Sequence, residues 1–127
     1  FDLIEKIIRG KAFDEPVQLW GDGHQKRELI YVKDFVRAAM QLTDATVNEV
    51  VNIGSGVEYS IRWYAEQICD LLAYDPLKIQ YDTSRYVGVR SKQLSTRKLK
   101  GLLPDFEITS LDHALAATIE AYQGAYA

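Results

Sequence analysis

Cations and aromatic rings lie close together in two parts of the chain, and both residue types can contact a nucleotide. In the first part, Trp20 is followed, after a glycine turn at residues 21–23, by Lys26 and Arg27. An indole ring can stack on a base or a sugar while a guanidinium group pairs with a phosphate. A buried Trp20 beside a surface Arg27 explains the same residues, so the pattern alone leaves both interpretations open.

The second part, which we call the basic segment, runs from Ser84 to Gly101 and contains six cations and no acid: Arg85, Arg90, Lys92, Arg97, Lys98 and Lys100. The whole chain has 15 basic and 18 acidic residues, a net charge of −3, so the acids are concentrated outside this segment. A positive segment on an acidic protein predicts a local anion site rather than a general nucleic-acid surface. An exposed loop and a short helix with solvated charges would show the same charge run.

Motifs that would bind a dinucleotide or a metal are incomplete. Gly54 and Gly56 follow a strand-like run, but Tyr59 occupies the third glycine position of a dinucleotide-binding loop. His24 and His113 have no cysteine or paired acid at ligand spacing. We therefore predict no cofactor-binding residue and no metal ligand in this chain.

One pair of residues has the spacing of a known catalytic motif. Tyr74 and Lys78 are separated as in the Tyr-x-x-x-Lys motif of short-chain dehydrogenases, which requires one helix face. Pro76 lies between them and would break that helix. We interpret the match as accidental and predict no catalytic residue.

Length and composition indicate one folded domain over residues 1–127. The chain is 47% hydrophobic, 26% charged and 11% aromatic, which excludes a disordered tail, a collagen-like repeat and a coiled coil. Cys69 is the single cysteine, so an intramolecular disulfide is impossible, and a reducing, cytoplasmic location is expected. No apolar run approaches the roughly 18 residues of a membrane span. Because residues 1–9 already have helical periodicity at Phe1, we expect a piece of a longer protein.

Hydrophobic periodicity predicts short strands alternating with helices, a small mixed α/β fold. Strands are predicted at Val17–Trp20, Glu28–Val32, Val50–Ile53 and Leu77–Tyr81. Helices are predicted over residues 1–9 with Gly10 as the stop, from Asp34, from an N-cap at Ser60 to before Pro76, over Ser95–Lys100, and from a Thr109–Asp112 capping box. The helix from Asp34 is predicted to bury Phe35, Val36, Ala39 and Met40, and the helix from Ser60 to bury Ile61, Tyr64, Ala65, Ile68, Leu71 and Leu72.

Three motifs in order resemble those of the extended short-chain dehydrogenase/reductases that act on nucleotide sugars, the NAD-dependent epimerase/dehydratase family. Residues 20–34, WGDGHQKRELIYVKD, are similar to the family pattern G-x-G-x-x-x-R-x-F-x-Y-V-x-D. Residues 51–56, VNIGSG, followed by Ser60, resemble the next motif, and residues 90–99 resemble a later basic stretch before a short helix. Within the family, a tryptophan seven places before the arginine is most similar to the GDP-L-fucose synthases.

The resemblance implies a division of labour between two domains. An N-terminal Rossmann domain, absent here, would bind NAD or NADP and carry the catalytic Ser/Thr and Tyr-x-x-x-Lys, and this chain would be the C-terminal substrate-binding part packed on it. By position, Trp20 would lie against the nucleotide sugar, Arg27 would contact its nucleotide or diphosphate, and Arg90 or Lys92 would add a second cation. The chain alone is then expected to bind no cofactor and to have no turnover.

Three positions depart from the family pattern. Ser95 stands where the relatives usually have aspartate, Lys33 replaces a common acid, and residues 102–104, LLP, replace Leu-Gly-Trp. The expected partners are a nucleotide diphosphate sugar, the missing Rossmann domain and, through an exposed apolar surface, a second copy of the chain, with no nucleic acid and no membrane. The alternative is a non-enzymatic module that binds RNA or an acidic protein through the basic segment, against which the net charge of −3 argues.

Overall fold

Helices and short strands alternate along residues 2–125, which the computed structural model describes. The helices are α1 (Asp2–Phe13), α2 (Val32–Ala45), α3 (Ile61–Leu72), a 3-10 turn (Pro76–Lys78), α4 (Arg97–Leu102) and α5 (Leu111–Ala125). The strands are β1 (Val17–Trp20), β2 (Lys26–Glu28), β3 (Glu58–Ser60) and β4 (Ile79–Asp82). The predicted mixed α/β class is confirmed. Phe1, the predicted first helical residue, lies outside the described residues.

The strands form two separate pairs. β1 and β4 are parallel, with Val17 opposite Ile79 and Trp20 opposite Asp82. β2 and β3 are antiparallel, and Arg27 lies opposite Tyr59. A parallel pair needs a long crossover connection, and here the chain from β2 to the end of α3 supplies it. Trp20 therefore lies at the carboxyl end of the parallel pair.

The main hydrophobic core lies between α1, α3, α5 and the β1–β4 pair. Each of these elements contributes buried apolar side chains: Ile4, Ile7, Val17, Leu19, Ala65, Ile68, Cys69, Leu72, Ile79, Leu115 and Ile119. The predicted α3 stripe is confirmed except at Leu71, which is exposed, while Cys69 is buried in its place. The predicted N-cap is confirmed too, because the Ser60 hydroxyl accepts a hydrogen bond from the Trp63 N–H at 3.1 Å.

Gly10 does not end α1, contrary to the prediction, because the helix continues to Phe13. The residue is buried where the helix crosses β1. A Cβ atom at Gly10 would lie 2.5 Å from Val17 Cγ2 and 3.2 Å from the Tyr74 hydroxyl. Its lack of a side chain therefore serves the close approach of two elements and not a turn.

The face of α2 that the periodicity assigns to the core is exposed. Phe35 and Val36 are largely accessible and Met40 is 66% exposed, so the prediction for these residues is wrong. The opposite face, with Ala38 and Leu42, packs in a second, smaller cluster with Leu99 of α4. Both faces of α2 are apolar, and only the tertiary arrangement decides which is covered.

Asp34, in the first turn of α2, ties this helix to Thr109, in addition to placing a favourable charge near the helix dipole. The side chain is 3% exposed. Its Oδ2 accepts from the Thr109 N–H at 2.7 Å, and its Oδ1 accepts from the Thr109 hydroxyl at 3.0 Å and from Arg37 at 2.8 Å. The predicted capping box at Thr109 is wrong, because α5 begins at Leu111 and Thr109 therefore lies one residue before the N-cap position, where its hydroxyl donates to Asp34.

Several observed strands and helices begin or end at other residues than predicted. A short strand extends only as far as its partner strand, whatever the preferences of its own residues. β2 covers 26–28 and not Glu28–Val32, since only residues 26–28 lie opposite β3, itself not predicted. Val50–Ile53 pairs with no strand among residues 2–125, although its sequence has a strand pattern. Leu77 lies in the 3-10 turn, so β4 starts at Ile79, and α4 starts two residues after Ser95 and includes Gly101.

Among residues 2–125, no helix is both long and apolar enough to cross a lipid bilayer.

Replacing Gly10 with alanine is expected to destabilise the protein by about 1–3 kcal/mol, because the added methyl overpacks the contact with Val17. An exposed helical glycine shows the opposite trend, since alanine is the better helix former by up to about 1 kcal/mol. Gly101→Ala is the matched control, as a Cβ there meets nothing within 4 Å. Urea unfolding of both variants checks the difference in sign, and equal effects would contradict the packing argument.

Replacing Asp34 with asparagine is expected to lower the free energy of unfolding by about 1–3 kcal/mol. Asparagine keeps the shape but has one acceptor oxygen, so a donor of the half-buried Thr109 or of the exposed Arg37 loses its partner. Asp44→Asn, at an exposed acid of the same helix, is the control and is expected to have little effect. Thermal and urea unfolding measure both, and an unchanged midpoint for Asp34→Asn would rule out this role of Asp34.

Candidate functional site

A groove of about 540 Å³ opens where α1 faces the carboxyl end of β1 and the start of β2. Leu3, Ile4 and Lys6 of α1 form one wall, and Trp20, Gln25 and Arg27 form the other. Tyr64 and Ile68 of α3 also line it. We call this the Trp20 groove. Its wall is largely apolar and includes Arg27 and an ion pair between Lys6 and Asp2, and such a wall suits a ligand that has both rings and negative charge.

Trp20 is the last residue of β1, and its ring is 56% exposed, so the interpretation as a core residue is wrong. The Arg85 guanidinium lies 5.5 Å from the centre of the Trp20 ring, within cation–π range. Arg85 Nε also lies 3.4 Å from Asp82 Oδ2. Sequence reasoning counted Arg85 in the basic segment but did not select it. The parallel pairing of Trp20 with Asp82 brings it here, and no local pattern shows that pairing.

Arg27 is held by main-chain carbonyls of the residues after β4. We call residues 84–94, which make up most of the non-helical part of the basic segment, the 84–94 loop. Arg27 Nη1 donates to the Val89 carbonyl at 2.9 Å, and Nη2 donates to the Val87 carbonyl at 3.1 Å. Nη1 donates also to the Lys26 carbonyl at 2.6 Å. No acceptor among residues 2–125 engages Nε, so this donor remains available for an oxyanion.

Tyr64, on α3, holds the main chain at Arg27 in place. Its hydroxyl donates to the Arg27 carbonyl at 3.0 Å. Burial raises the pKa of Tyr64 to about 12, so the hydroxyl is neutral and remains a donor throughout the physiological pH range. Tyr64 therefore supports the groove and has no proton to exchange with a ligand at neutral pH.

The glycine turn between β1 and β2 allows the 84–94 loop to approach the groove. Gly21 has φ of +81°, which favours glycine, and a Cβ there would collide with Val87 Cγ1. Asp22 Oδ1 accepts from the His24 N–H at 2.9 Å, and this bond lowers the pKa of the Asp22 carboxyl. The turn is thus rigid, and loop and turn pack directly on each other.

Arg90 and Lys92, the other two predicted binding residues, have exposed side chains that do not line the Trp20 groove. The Arg90 carbonyl accepts from the Lys26 N–H at 2.7 Å. Lys92 donates its main-chain N–H to Glu58 Oε2 at 3.2 Å. The structure therefore brings Trp20 and Arg27 together in one groove, with Arg85 against the Trp20 ring.

Gln25 is a polar residue of the groove that sequence reasoning missed. It is nine-tenths buried, and its Nε2 donates to the Trp20 carbonyl at 3.3 Å. Its Oε1 is buried and has no hydrogen-bond partner among residues 2–125. Within this wall, the Gln25 side chain is thus hydrogen-bonded to the main chain of Trp20. No signal in the sequence distinguishes it from an ordinary turn residue.

Two other candidates from the sequence have ordinary structural roles. Tyr74 lies beyond the end of α3, and its hydroxyl donates to the Glu15 carbonyl at 2.7 Å. Lys78 lies in the 3-10 turn and pairs with Asp14 at 2.5 Å, so it shares no helix with Tyr74, as Pro76 predicts. Burial raises the pKa of the Cys69 thiol to about 11 and keeps it protonated.

Comparison with known proteins places this geometry in a family context. The model of the NAD dependent epimerase/dehydratase family matches residues 1–54. The chain is 30% identical over 121 residues to dTDP-4-dehydro-6-deoxy-D-allose reductase of a Streptomyces species, covering 95% of this chain and 36% of that protein. It is 27% identical over 125 residues to GDP-L-fucose synthase of Azorhizobium caulinodans, covering 94% of this chain and 39% of that protein.

A solved structure agrees with the sequence comparison. UDP-glucose 4-epimerase of Thermotoga maritima, crystallised with UDP-glucose, superposes with a TM-score of 0.84 at 30% identity. The match covers 98% of this chain and 39% of that chain. The chain thus spans between a third and two-fifths of the length of these relatives, and the similarity extends over nearly all of it.

Proposed function

We propose that this chain, which is related to the NAD dependent epimerase/dehydratase family of nucleotide-sugar enzymes, binds the nucleotide diphosphate sugar in such an enzyme. The observation that carries the proposal is that Trp20 and Arg27 line one groove, with Arg85 against the Trp20 ring. The relatives' names include GDP-, dTDP- and UDP-sugars, whose shared part is a diphosphate between a base and a sugar. An aromatic ring beside two guanidinium groups suits that shared part.

Each wall of the Trp20 groove offers a different contact. The free Nε of Arg27 can donate to a phosphate oxygen, while the Arg85 guanidinium, which also pairs with Asp82, lies against the Trp20 ring. Leu3 and Ile4 of α1 offer apolar surface to a ring. Binding at several points would orient the sugar for a reaction carried out by other residues.

Redox chemistry in this proposal belongs to a nicotinamide cofactor, as the family description implies. NAD or NADP bound by the full-length enzyme would accept and return hydride. This chain's contribution is to bind and orient the substrate, since the ionisable side chains that line the Trp20 groove are Asp2, Lys6, Arg27 and the neutral Tyr64.

We propose further that residues 1–127 form a substrate-binding domain that packs on a separate Rossmann domain. The exposed apolar face of α2, formed by Val32, Phe35, Val36 and Met40, supports this, because such a surface is costly to leave in water. Val50, which is 87% exposed, begins the strand-like run at 50–53 that lacks a partner strand among residues 2–125. Both features suit contact with a further domain.

The alternative function, an RNA- or protein-binding module, has weaker support. The cations of the 84–94 loop do not interleave with stacked aromatic rings along one surface, as single-strand binders require. Tyr86 is exposed, but the Trp20 ring is already in contact with the Arg85 guanidinium. We therefore keep RNA as a competing ligand in the binding experiment.

Titration with UDP-glucose, GDP and dTDP is expected to show saturable binding of at least one of them, with quenching of the tryptophan fluorescence, to which Trp20 and Trp63 both contribute. Arg27→Ala is expected to weaken that binding by about 10- to 100-fold, the value of a hydrogen bond to a charged group. Arg9→Ala, at an exposed cation of α1, is the control with the same loss of charge. Salt-sensitive binding of an oligonucleotide with no binding of any of the three nucleotides would favour the RNA-binding alternative.

The chain alone is expected to self-associate through the apolar face of α2. Val36→Lys with Met40→Lys should shift the sedimentation profile towards monomer, because two charges on that face oppose its burial. Leu77→Lys, at a residue 90% exposed in the 3-10 turn, is the control and should leave association unchanged. A wild-type chain that stays monomeric at high concentration would contradict the proposed docking surface.

A further inference from the structure

Two glutamates lie directly opposite each other on the β2–β3 pair, an arrangement that is normally unfavourable. Glu28 and Glu58 are cross-strand partners, so their carboxylates extend from the same face. Like charges at opposed positions repel and destabilise a strand pair. The contacts of both side chains explain why the pair is tolerated.

Each carboxylate accepts hydrogen bonds from the 84–94 loop. Glu28 Oε2 accepts from the Leu94 N–H at 2.6 Å, and Glu28 Oε1 accepts from the Gly56 N–H at 2.8 Å. Glu58 accepts from the Ser91 hydroxyl at 2.8 and 2.9 Å and from the Lys92 N–H at 3.2 Å. Hydrogen bonds from N–H groups to ionised carboxylates are among the stronger ones in proteins.

The turn at residues 54–56 packs against the Glu28 carboxylate. A Cβ atom at Gly54 would collide with Glu28 Oε1, so glycine leaves the space that the side chain occupies. The Gln93 amide also donates to the Gly56 carbonyl. Loop, turn and strand are thus joined around Glu28.

The same loop holds Arg27 from the other face of the strand. Arg27 and Glu28 are neighbours in β2, so their side chains point to opposite faces. The loop contacts Arg27 through the Val87 and Val89 carbonyls, passes the strand edge at the bond from Lys26 N–H to Arg90, and then reaches the glutamates. It therefore wraps around β2, with carbonyls on one face and N–H groups on the other.

We propose that Glu28 and Glu58 are positioning residues, which hold the 84–94 loop so that its carbonyls orient the Arg27 guanidinium towards the ligand. This inference rests on the proposed function. The carboxylates do not touch the ligand, and they act through the loop on the residue that does. Arg27 is then presented with its Nε free of any acceptor among residues 2–125, and Arg85 is kept beside Trp20 by the same loop.

Glu28→Gln and Glu58→Gln test the proposal, because an amide has one acceptor oxygen where each carboxylate serves donors with two. Each variant is expected to weaken binding of the best nucleotide among UDP-glucose, GDP and dTDP by about tenfold, as outer-shell changes do at other sites. Asp14→Asn removes the same charge at the opposite end of the β1–β4 pair, where Asp14 pairs with Lys78, and should bind as the wild type does. Circular dichroism and thermal unfolding show whether each variant folds. If Glu28→Gln does not fold, Glu58→Gln alone tests the proposal.

A double-mutant cycle separates positioning from a purely structural role. Arg27→Lys keeps the positive charge, but a lysine cannot donate to two carbonyls and a phosphate in the geometry that arginine uses. In this background, Glu58→Gln should therefore change the nucleotide affinity by less than about twofold. Trypsin should cleave after Arg85, Arg90 and Lys92 faster in both glutamine variants without ligand, since the loop is released. An equal effect of Glu58→Gln in the two backgrounds would overturn the proposal.

The outcomes also separate this inference from the proposed function. If the wild type binds a nucleotide and Arg27→Ala weakens it, while both glutamine variants bind normally, the positioning role is wrong and the proposed function stands. If the wild type binds none of the three nucleotides, the proposed function fails and the positioning role falls with it. Faster cleavage by trypsin would then show only that the glutamates hold the loop.

Discussion

The parallel pairing of β1 with β4 is the constraint on which the other features of this chain depend. Strands that run in the same direction cannot be joined by a tight turn, so residues 21–78 form the crossover between them. That crossover contributes Arg27 to the groove and α3 to the core behind it. The register then brings Trp20 opposite Asp82 and, three residues later, Arg85 to the Trp20 ring.

A second consequence concerns α2, which lies outside the main core. Its small inner face packs with α4 and the strand-like run at 50–53, and the buried carboxylate of Asp34 joins its first turn to Thr109 before α5. Few contacts hold such an element, so one satisfied carboxylate has a large share in its position. The larger apolar face is exposed, and the proposed contact with a further domain would cover it.

Charge at the groove is arranged by main-chain groups as much as by side chains. The Arg27 guanidinium is held by neutral carbonyls, and the carboxylates of Glu28 and Glu58 are held by N–H groups of the same loop. Direct pairing of Arg27 with an acid would neutralise the cation before any ligand arrived. Carbonyl acceptors orient it and leave its charge in place for an oxyanion.

Local sequence determined the α/β class, the helix capped by Ser60 and the strand that ends at Trp20. It also determined the family motifs and the position of Arg27 within them. Periodicity, caps and motif spacing act over a few residues, so one sequence is enough to show them. Tertiary structure alone decided which face of α2 is buried, that Gly10 is a packing contact, and that residues 50–53 have no partner strand among residues 2–125. It also selected Arg85 over Arg90 and Lys92 at the Trp20 ring and placed Glu28 and Glu58 on the loop. Each of these depends on contacts between residues distant in the chain, for which a single sequence has no local signal.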